Sequence, residues 1–289
     1  MVNALSFDIE DYFHAAALEH AFGGAAWESL PSRVEVNTRQ LMDLLDESGV
    51  KATFFVLGWV AERNVSLVKE IHSRGHEVAC HGYSHRLIYR QSPEEFRQET
   101  VRAKSLLEDA IGEPVRGYRA ASFSITGRSI WAIRIIREAG FEYDSSIFPI
   151  RHDRYGVPGA SRFPHRVDCG EAGELIEFPP STLQFGNLVL PVGGGGYFRL
   201  LPYWYTSFGL RRLNSREGQP LMFYLHPWEV DVEQPAGNVG WLTRVRHYRN
   251  IHQCAARLRK LISANQFAPV RDILLNLRVV DQSVRYGEG

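Results

Sequence analysis

Short apolar runs alternate along this chain with stretches whose apolar residues recur every three or four positions. The first run, residues 4–7, stops at the acidic cluster Asp8, Glu10 and Asp11, which predicts a strand delivering carboxylates to its C-terminal end. Residues 11–32 are irregular, with Tyr12, Phe13, Phe22 and Trp27 and a Gly23-Gly24 break; they read as a loop or short helices over the mouth of the fold. Residues 33–48 place Val34, Leu41, Leu44 and Leu45 at helical spacing and stop at Gly49, an amphipathic helix with its C-terminal cap. Residues 51–57 (KATFFVL) are almost continuously apolar, as a strand buried on both faces of a parallel sheet is. A helix over 61–73 closes at Gly75, and a strand over 76–80 runs into His81-Gly82-Tyr83-Ser84-His85.

Ser92, Pro93 and Glu95 occupy the cap, first and third positions of a helix over 93–111, a capping-box arrangement. A short strand over 117–119, a helix over 126–139 and a strand over 141–143 leading to Asp144 follow. The rhythm then breaks over 147–173, rich in Pro, Arg, His and Gly. A strand over 175–178 ends at Pro179-Pro180, and residues 193–196 are four glycines. Without a GxxxxGK or GxGxxG pattern these glycines make no phosphate cradle, so they read as a mobile or tightly packed lid loop. Residues 201–213 predict a helix and 220–225 a strand that ends at His226-Pro227-Trp228-Glu229. A long helix over 242–264, a short element over 269–277 and a polar, fraying tail from 278 complete the chain. About seven strand–helix repeats without a linker predict one domain over 1–289, an α/β fold whose parallel sheet closes, or nearly closes, into a barrel. Loop insertions fall at about 147–174 and 187–205 and a helical extension at about 242–277.

Composition narrows the function classes. The 33 basic and 33 acidic residues cancel, which argues against a nucleic-acid partner. Cys80, Cys169 and Cys254 are too few and too scattered for a disulfide framework or a CxxC site. No window approaches the roughly 18 apolar residues of a spanning helix. These features lead us to expect a cytoplasmic protein, with the inner face of the membrane as one place open to it.

The candidate chemistry gathers at predicted strand ends: Asp8 with its neighbours, His81 and His85, Arg119, Asp144 and His226. If residues 81–85 coil into one helical turn, both imidazoles face one side and can hold one ion. Two neutral imidazoles and one carboxylate leave room for water on a divalent ion, which lowers that water's pKa toward 7. A second carboxylate can act as base, kept ionised by Arg119, while His226 as imidazolium protonates a leaving group. Aromatic residues in and around the insertions, among them Tyr12, Phe13, Tyr197, Phe198, Tyr203, Trp204, Trp228 and Trp241, are candidates for stacking on sugar rings.

These motifs resemble those of the polysaccharide deacetylases with the NodB-homology domain, carbohydrate esterase family 4, and most closely the branch associated with exopolysaccharide and exosortase loci. Ser6-Phe7-Asp8-Ile9-Glu10-Asp11 is similar to the family's TFDDG motif and His81–His85 to its H-[ST]-x-x-H motif, with Gly82 at the usual serine or threonine. Residues 117–123 match R-x-P-[YF] loosely, residues 141–146 sit at the fourth motif, and Leu225-His226-Pro227 matches the last. The resemblance implies a distorted (β/α)7-8 barrel in which Asp8 is the base, His81 and His85 are metal ligands, Arg119 orients the base and His226 is the acid. It also implies a backbone oxyanion donor near Ala121, Ser122 and Phe123 and places Asp144 at the fourth motif; Asp144 and, among the aromatic residues, Tyr197 and Trp228 are expected at the substrate.

The implied reaction removes N-acetyl groups from an amino-sugar polysaccharide or its precursor with one divalent ion, zinc or else cobalt, nickel or manganese. Its partner would be an N-acetylated oligo- or polysaccharide, and a homodimer is compatible with the long final helix. Glu10 is the carboxylate ligand if the first strand continues through it, since positions 8 and 10 share a face; Asp11 is the ligand if the chain turns after Ile9. Ala120-Ala121 in place of a proline keeps open a metal-independent cyclic-amide or allantoin-type hydrolase, and a non-catalytic glycan-binding protein is the other alternative.

Overall fold

The computed structural model describes residues 1–22, 27–277 and 280–287; the Gly23-Gly24 break and the tail onset at Arg278 lie outside the described residues. The strands are β1 (Val2–Ile9), β2 (Thr53–Val56), β3 (Glu77–Cys80), β4 (Gly117–Tyr118), β5 (Tyr143–Asp144), β6 (His165–Asp168), β7 (Glu174–Glu177), β8 (Thr182–Phe185), β9 (Leu188–Pro191), β10 (Met222–Leu225), β11 (Gln266–Ala268) and β12 (Val280–Val284). They pair in the order β10-β1-β2-β3-β4-β5-β7-β6-β12, with β11 also on β1 and β8-β9 as a separate hairpin. From β10 round to β7 every pair is parallel. This is the expected α/β architecture, a distorted barrel. No helix of the described residues is long and apolar enough to cross a membrane.

Strand alternation decides what enters the barrel. Leu5, Phe7 and Ile9 of β1, with Phe54 and Val56 of β2, pack outward in the main hydrophobic cluster. Ala4, Phe55, Ala79, Tyr143, Phe178 and Met222 form a separate inner cluster, plugged by Val270 and Ile273. The plug helix Val270–Asn276 is tied to the strands, since Val270 N–H donates to Thr53 Oγ1 at 2.7 Å and Arg271 N–H to Glu77 Oε2 at 3.1 Å.

The gap between β7 and β10 is filled by the glycine run. Ser181 O accepts from Val192 and Gly193 N–H at 3.0 and 3.1 Å, and Gly193 O accepts from Tyr224 N–H at 2.8 Å. A Cβ on Gly194 would stand 2.0 Å from Tyr224 O. Backbone must therefore approach backbone here, and of the two readings open for the glycines the tightly packed one holds.

Several boundaries differ from the periodicity. The helix expected over 61–73 breaks at Asn64 into Gly58–Arg63 and Val65–Ser73. The one expected over 242–264 breaks at Asn250, left-handed at φ 59°, into Trp241–Tyr248 and Ile251–Ala264. The helix expected over 126–139 shortens to Ala132–Glu138. Strands β6 and β9 occupy stretches read as insertions, β8 lies between the expected strand over 175–178 and the second insertion, and the tail is held rather than frayed, with β12 on β6 and Tyr286 Oη 2.7 Å from His165 Nε2. The tail strand β12 and the break at Asn250 have partners far along the chain, which local pattern does not encode.

Gly194→Ala is expected to lower the urea midpoint by the equivalent of about 2 kcal/mol or more, because overpacking adds to the strain of a left-handed alanine. Gly112→Ala, at a φ of +72° with nothing within 4 Å of the new Cβ, should show only the backbone part, about 1 kcal/mol. Equal losses at the two positions would contradict the close-packing role.

Candidate metal centre and acid-base site

Strand β1 carries Ser6 and Asp8 on its inward face, and Glu10, the first residue past the strand, joins them at the rim, its N–H donating to Asp8 O at 3.1 Å. Asp11 points elsewhere. Its carboxylate accepts from Ser32 Oγ at 2.7 Å and from the N–H groups of Tyr12, Arg33 and Val34 at 3.0, 2.8 and 3.2 Å. It thus caps the helix Val34–Glu47 from a distance, together with the short turn that begins at Tyr12, as an N-terminal carboxylate does. The alternative of Asp11 as ligand is corrected: its lone pairs are committed to backbone donors.

Glu10, His81 and His85 converge, with one potential ligand atom from each lying within 4.8 Å of the others. His85 Nε2 is 2.5 Å and His81 Nε2 4.0 Å from Glu10 Oε2. Oε2 is buried yet makes no bond of hydrogen-bond geometry. A buried carboxylate oxygen left without a donor between two imidazoles suits coordination to a divalent cation. Burial would raise the Glu10 carboxyl, but His85 above all, then His226 and His81, hold it well below the usual range. Burial pushes His81 down to about 4, which keeps its imidazole in the neutral, ligating form. His81 Nδ1 lies 2.9 Å from the Arg119 carbonyl and donates to it, turning the Nε2 lone pair toward Glu10, the usual outer support of a metal-bound histidine. The residues present fit a single divalent ion.

The histidine pair does not form the helical turn that its spacing allows. Gly82 and His85 have φ of 75° and 54°, and Gly82 O and Tyr83 O accept from Gly58 and Trp59 N–H at 2.8 and 3.0 Å. The loop is moulded against the start of the helix Gly58–Arg63. The left-handed conformation at 82 favours glycine, which accounts for the departure from serine or threonine there.

Arg119, with no exposed surface, holds Asp8. Its Nη1 donates to Asp8 Oδ1 at 2.6 Å and Ser6 Oγ at 2.9 Å, Nη2 to Ser145 Oγ at 3.0 Å and Nε to Ser145 O at 3.3 Å. The free oxygen, Asp8 Oδ2, lies 3.8 Å from His226 Nε2, which is also 3.9 Å from Glu10 Oε1. Burial would lower His226, but its bond to Glu229 and the charges of Glu10, Glu229 and Asp8 lift it to about 9. At neutral pH His226 is an imidazolium facing two carboxylates.

Other expected site residues fall differently. Asp144 and Glu177 are register partners, out of phase with the inward Tyr143. Asp144 is wholly buried and accepts from Ser146 Oγ at 2.6 Å, so it presents no surface to a substrate. Trp228 is buried: it stacks on His226 at 4.8 Å and its Nε1 donates to Glu10 Oε1 at 3.0 Å. Held between Glu10 and His226, its ring presents no open face to a sugar. Tyr12, Phe13 and Phe198 are core, whereas Trp204 and Trp241 are exposed. Half-buried Tyr197 has its hydroxyl 3.3 Å from that of Tyr155. Ser122 and Phe123 are both left-handed, φ 52°, and Phe123 N–H is spent on Ala120 O at 3.0 Å. That removes Phe123 as an oxyanion donor.

Sequence reasoning missed Glu229, whose signal was its position three residues after His226 beyond a proline, a capping-box spacing. It missed His14 as well. His14 and Trp27 join His85 in lining a cavity of about 580 Å3 beside the centre.

Residues 26–143 match the polysaccharide deacetylase family, and residues 145–275 match a domain of unknown function, DUF3473. Two peptidoglycan-N-acetylglucosamine deacetylases of Bacillus cereus are 35% and 33% identical over 75 and 78 residues. Those matches cover 26% and 27% of this chain and only 27% and 37% of the relatives. A chitooligosaccharide deacetylase of Bradyrhizobium is 28% identical over 33% of the chain and 43% of its own length. Among solved structures, a Mycobacterium smegmatis protein assigned as a polysaccharide deacetylase superposes with a TM-score of 0.66 at 20% identity, over 98% of this chain and 92% of the other. The allantoinase Puue gives 0.61 at 15% identity over 93% and 87%; both likenesses speak to the fold alone. The Glu10, His81 and His85 centre thus lies at the C-terminal rim of the strands in a chain that is similar, over residues 26–143, to the polysaccharide deacetylase family.

Proposed function

We propose that the protein, acting as one domain over residues 1–289, is a metal-dependent hydrolase that removes N-acetyl groups from an amino-sugar polysaccharide or its precursor. The observation that carries this reading is the apposition of an arginine-held carboxylate, Asp8, and an imidazolium, His226, across a cation-ready Glu10, His81 and His85 cluster. The polysaccharide deacetylases named above supply the substrate class. An exopolysaccharide as the particular polymer rests on the motif resemblance alone.

Glu10, His81 and His85 would hold the ion, of which zinc, cobalt, nickel and manganese all suit two imidazoles and a carboxylate. Such an ion supplies Lewis-acid polarisation of the acyl oxygen and acidifies a water. Asp8 Oδ2 accepts the proton of the attacking water, while Arg119 keeps Oδ1 fixed. A carbon–oxygen bond forms as the water adds to the acetamide carbon. The N–H groups of Ala121 and Ser122 are the candidates for stabilising the oxyanion. His226 then delivers a proton from Nε2 to the departing nitrogen, the carbon–nitrogen bond breaks, and acetate and a free amino sugar leave with one water consumed. Transfer of the Asp8 proton back to His226 restores both groups. The cavity beside His85, edged by the exposed Glu19, Glu28 and Arg90, suits a glycan better than the small closed pocket of a cyclic-amide hydrolase.

Chelator-stripped protein is expected to take up one equivalent of zinc by calorimetry, and Glu10→Gln to lose that uptake. Asp11→Ala should keep it while losing about 1–2 kcal/mol of stability through the missing cap; loss of uptake in Asp11→Ala instead would reinstate Asp11 as ligand. Acetate release from chitin oligosaccharides should require the metal and fall at least about 100-fold in Asp8→Asn. Its kcat/KM should decline at alkaline pH with a pKa above 6.5 and up to about 9, as protonated His226 is lost. Hydrolysis of allantoin by the stripped protein, with no acetate from any glycan, would favour the cyclic-amide reading.

A further inference from the structure

Behind His226 lie two buried charged side chains, Glu229 and Arg199. Glu229 is 0% and Arg199 1% exposed. Glu229 Oε1 accepts from His226 Nδ1 at 2.8 Å and from the His226 backbone N–H at 3.2 Å, and Oε2 accepts from Arg199 Nε at 2.6 Å. Arg199 spends its other donors on the end of the helix Trp241–Tyr248: Nη1 on His247 O at 2.6 Å and Arg249 O at 3.2 Å, Nη2 on Arg246 O at 3.3 Å. Asn250, left-handed where that helix breaks, returns a bond from Nδ2 to Arg199 O at 2.7 Å. Trp228 lies stacked between His226 at 4.8 Å and His247 at 4.5 Å.

Desolvating both ions of such a pair costs several kcal/mol each, recovered only where geometry and further hydrogen bonds are good. A local cap at the turn after His226 would need the carboxylate alone. Here the guanidinium instead joins that carboxylate to main-chain carbonyls more than 40 residues further along the chain. Those carbonyls are the unsatisfied C-terminal groups of a helix, which attract a cation. Its planar fork fixes direction as well as charge. Glu229 is thereby held in one orientation, and the His226 ring with it, so that Nε2 faces Asp8 and Glu10 while Nδ1–H stays on Glu229.

We propose that Arg199 and Glu229 are positioning residues that make the aim of the acid His226 depend on the docking of the helix Trp241–Tyr248. This inference rests on the role proposed for His226. It also gives the segment of unknown function, residues 145–275, a part in the reaction, since that segment supplies the proton-donating half of the centre and locks it in place.

Arg199→Lys and Glu229→Gln keep volume and polarity, and two substrates separate positioning from general damage. An N-acetyl sugar has a poor leaving amine and needs the acid; 4-nitrophenyl acetate has a leaving phenolate that does not. In both variants the ratio of the acetamide rate to the ester rate is expected to fall about 100-fold, with KM for the oligosaccharide changed less than about threefold. A parallel fall in both rates, or an unchanged ratio, would overturn the proposal. Nitrogen-15 NMR of His226 in the chain itself tests the same point without turnover. The parent should show Nδ1 protonated throughout the titration, and the variants a mixture of ring tautomers. A parent that releases no acetate while giving this signature would refute the activity and leave the positioning relay standing; a ring unchanged in both variants would refute the relay.

Discussion

The geometry of the whole centre hangs on the Arg119–Asp8 pair. A guanidinium with no exposed surface is tolerable inside a barrel only when its donors are used. Its Nη1, Nη2 and Nε all donate, to β1 and to the residue after β5, while its carbon lies 4.1 Å over the Phe55 ring of β2. One side chain thus sets the spacing of several strands and leaves Asp8 with one committed oxygen and one free. The free oxygen faces His226, and Glu10, just past the end of the same strand, faces the histidine pair.

The two halves of the chain meet across β1. Its neighbour β2 belongs to the half that brings His81 and His85, and its other neighbour, β10, brings His226. The proposed base and ligands therefore come from the N-terminal half and the proposed acid from the C-terminal half, with one strand fixing their separation. Trp228 reinforces the join by touching Glu10 and His226 together. The glycine run serves the same end from below, letting backbone pack on β10 where any side chain would push the acid's strand away.

Much of this could be read from the sequence because it follows strand parity. Ser6, Asp8 and Glu10 alternate with Leu5, Phe7 and Ile9, so strand continuation singled out Glu10 over Asp11 once the turn was located. His81, Arg119 and His226 each follow a recognisable apolar strand. Asp144 misled because β5 is only two residues long, too short for its phase to show. Glu229 and Arg199 were invisible for another reason. Their contacts join positions 30 and 48 residues apart, and nothing in local hydropathy marks a buried ion pair. Trp228 looked like a sugar platform because an aromatic beside a site histidine fits either role until its indole N–H has a partner.

Anomalous diffraction from crystals soaked in zinc, recorded on both sides of the zinc absorption edge, is the decisive test of the proposed metal centre. One peak is expected, bonded to Glu10 Oε2, His81 Nε2 and His85 Nε2, with its open side toward Asp8 and His226 and nothing at Asp11. A peak that includes Asp11, that draws Asp8 off Arg119 as a further ligand, or that avoids the histidine pair would contradict this arrangement.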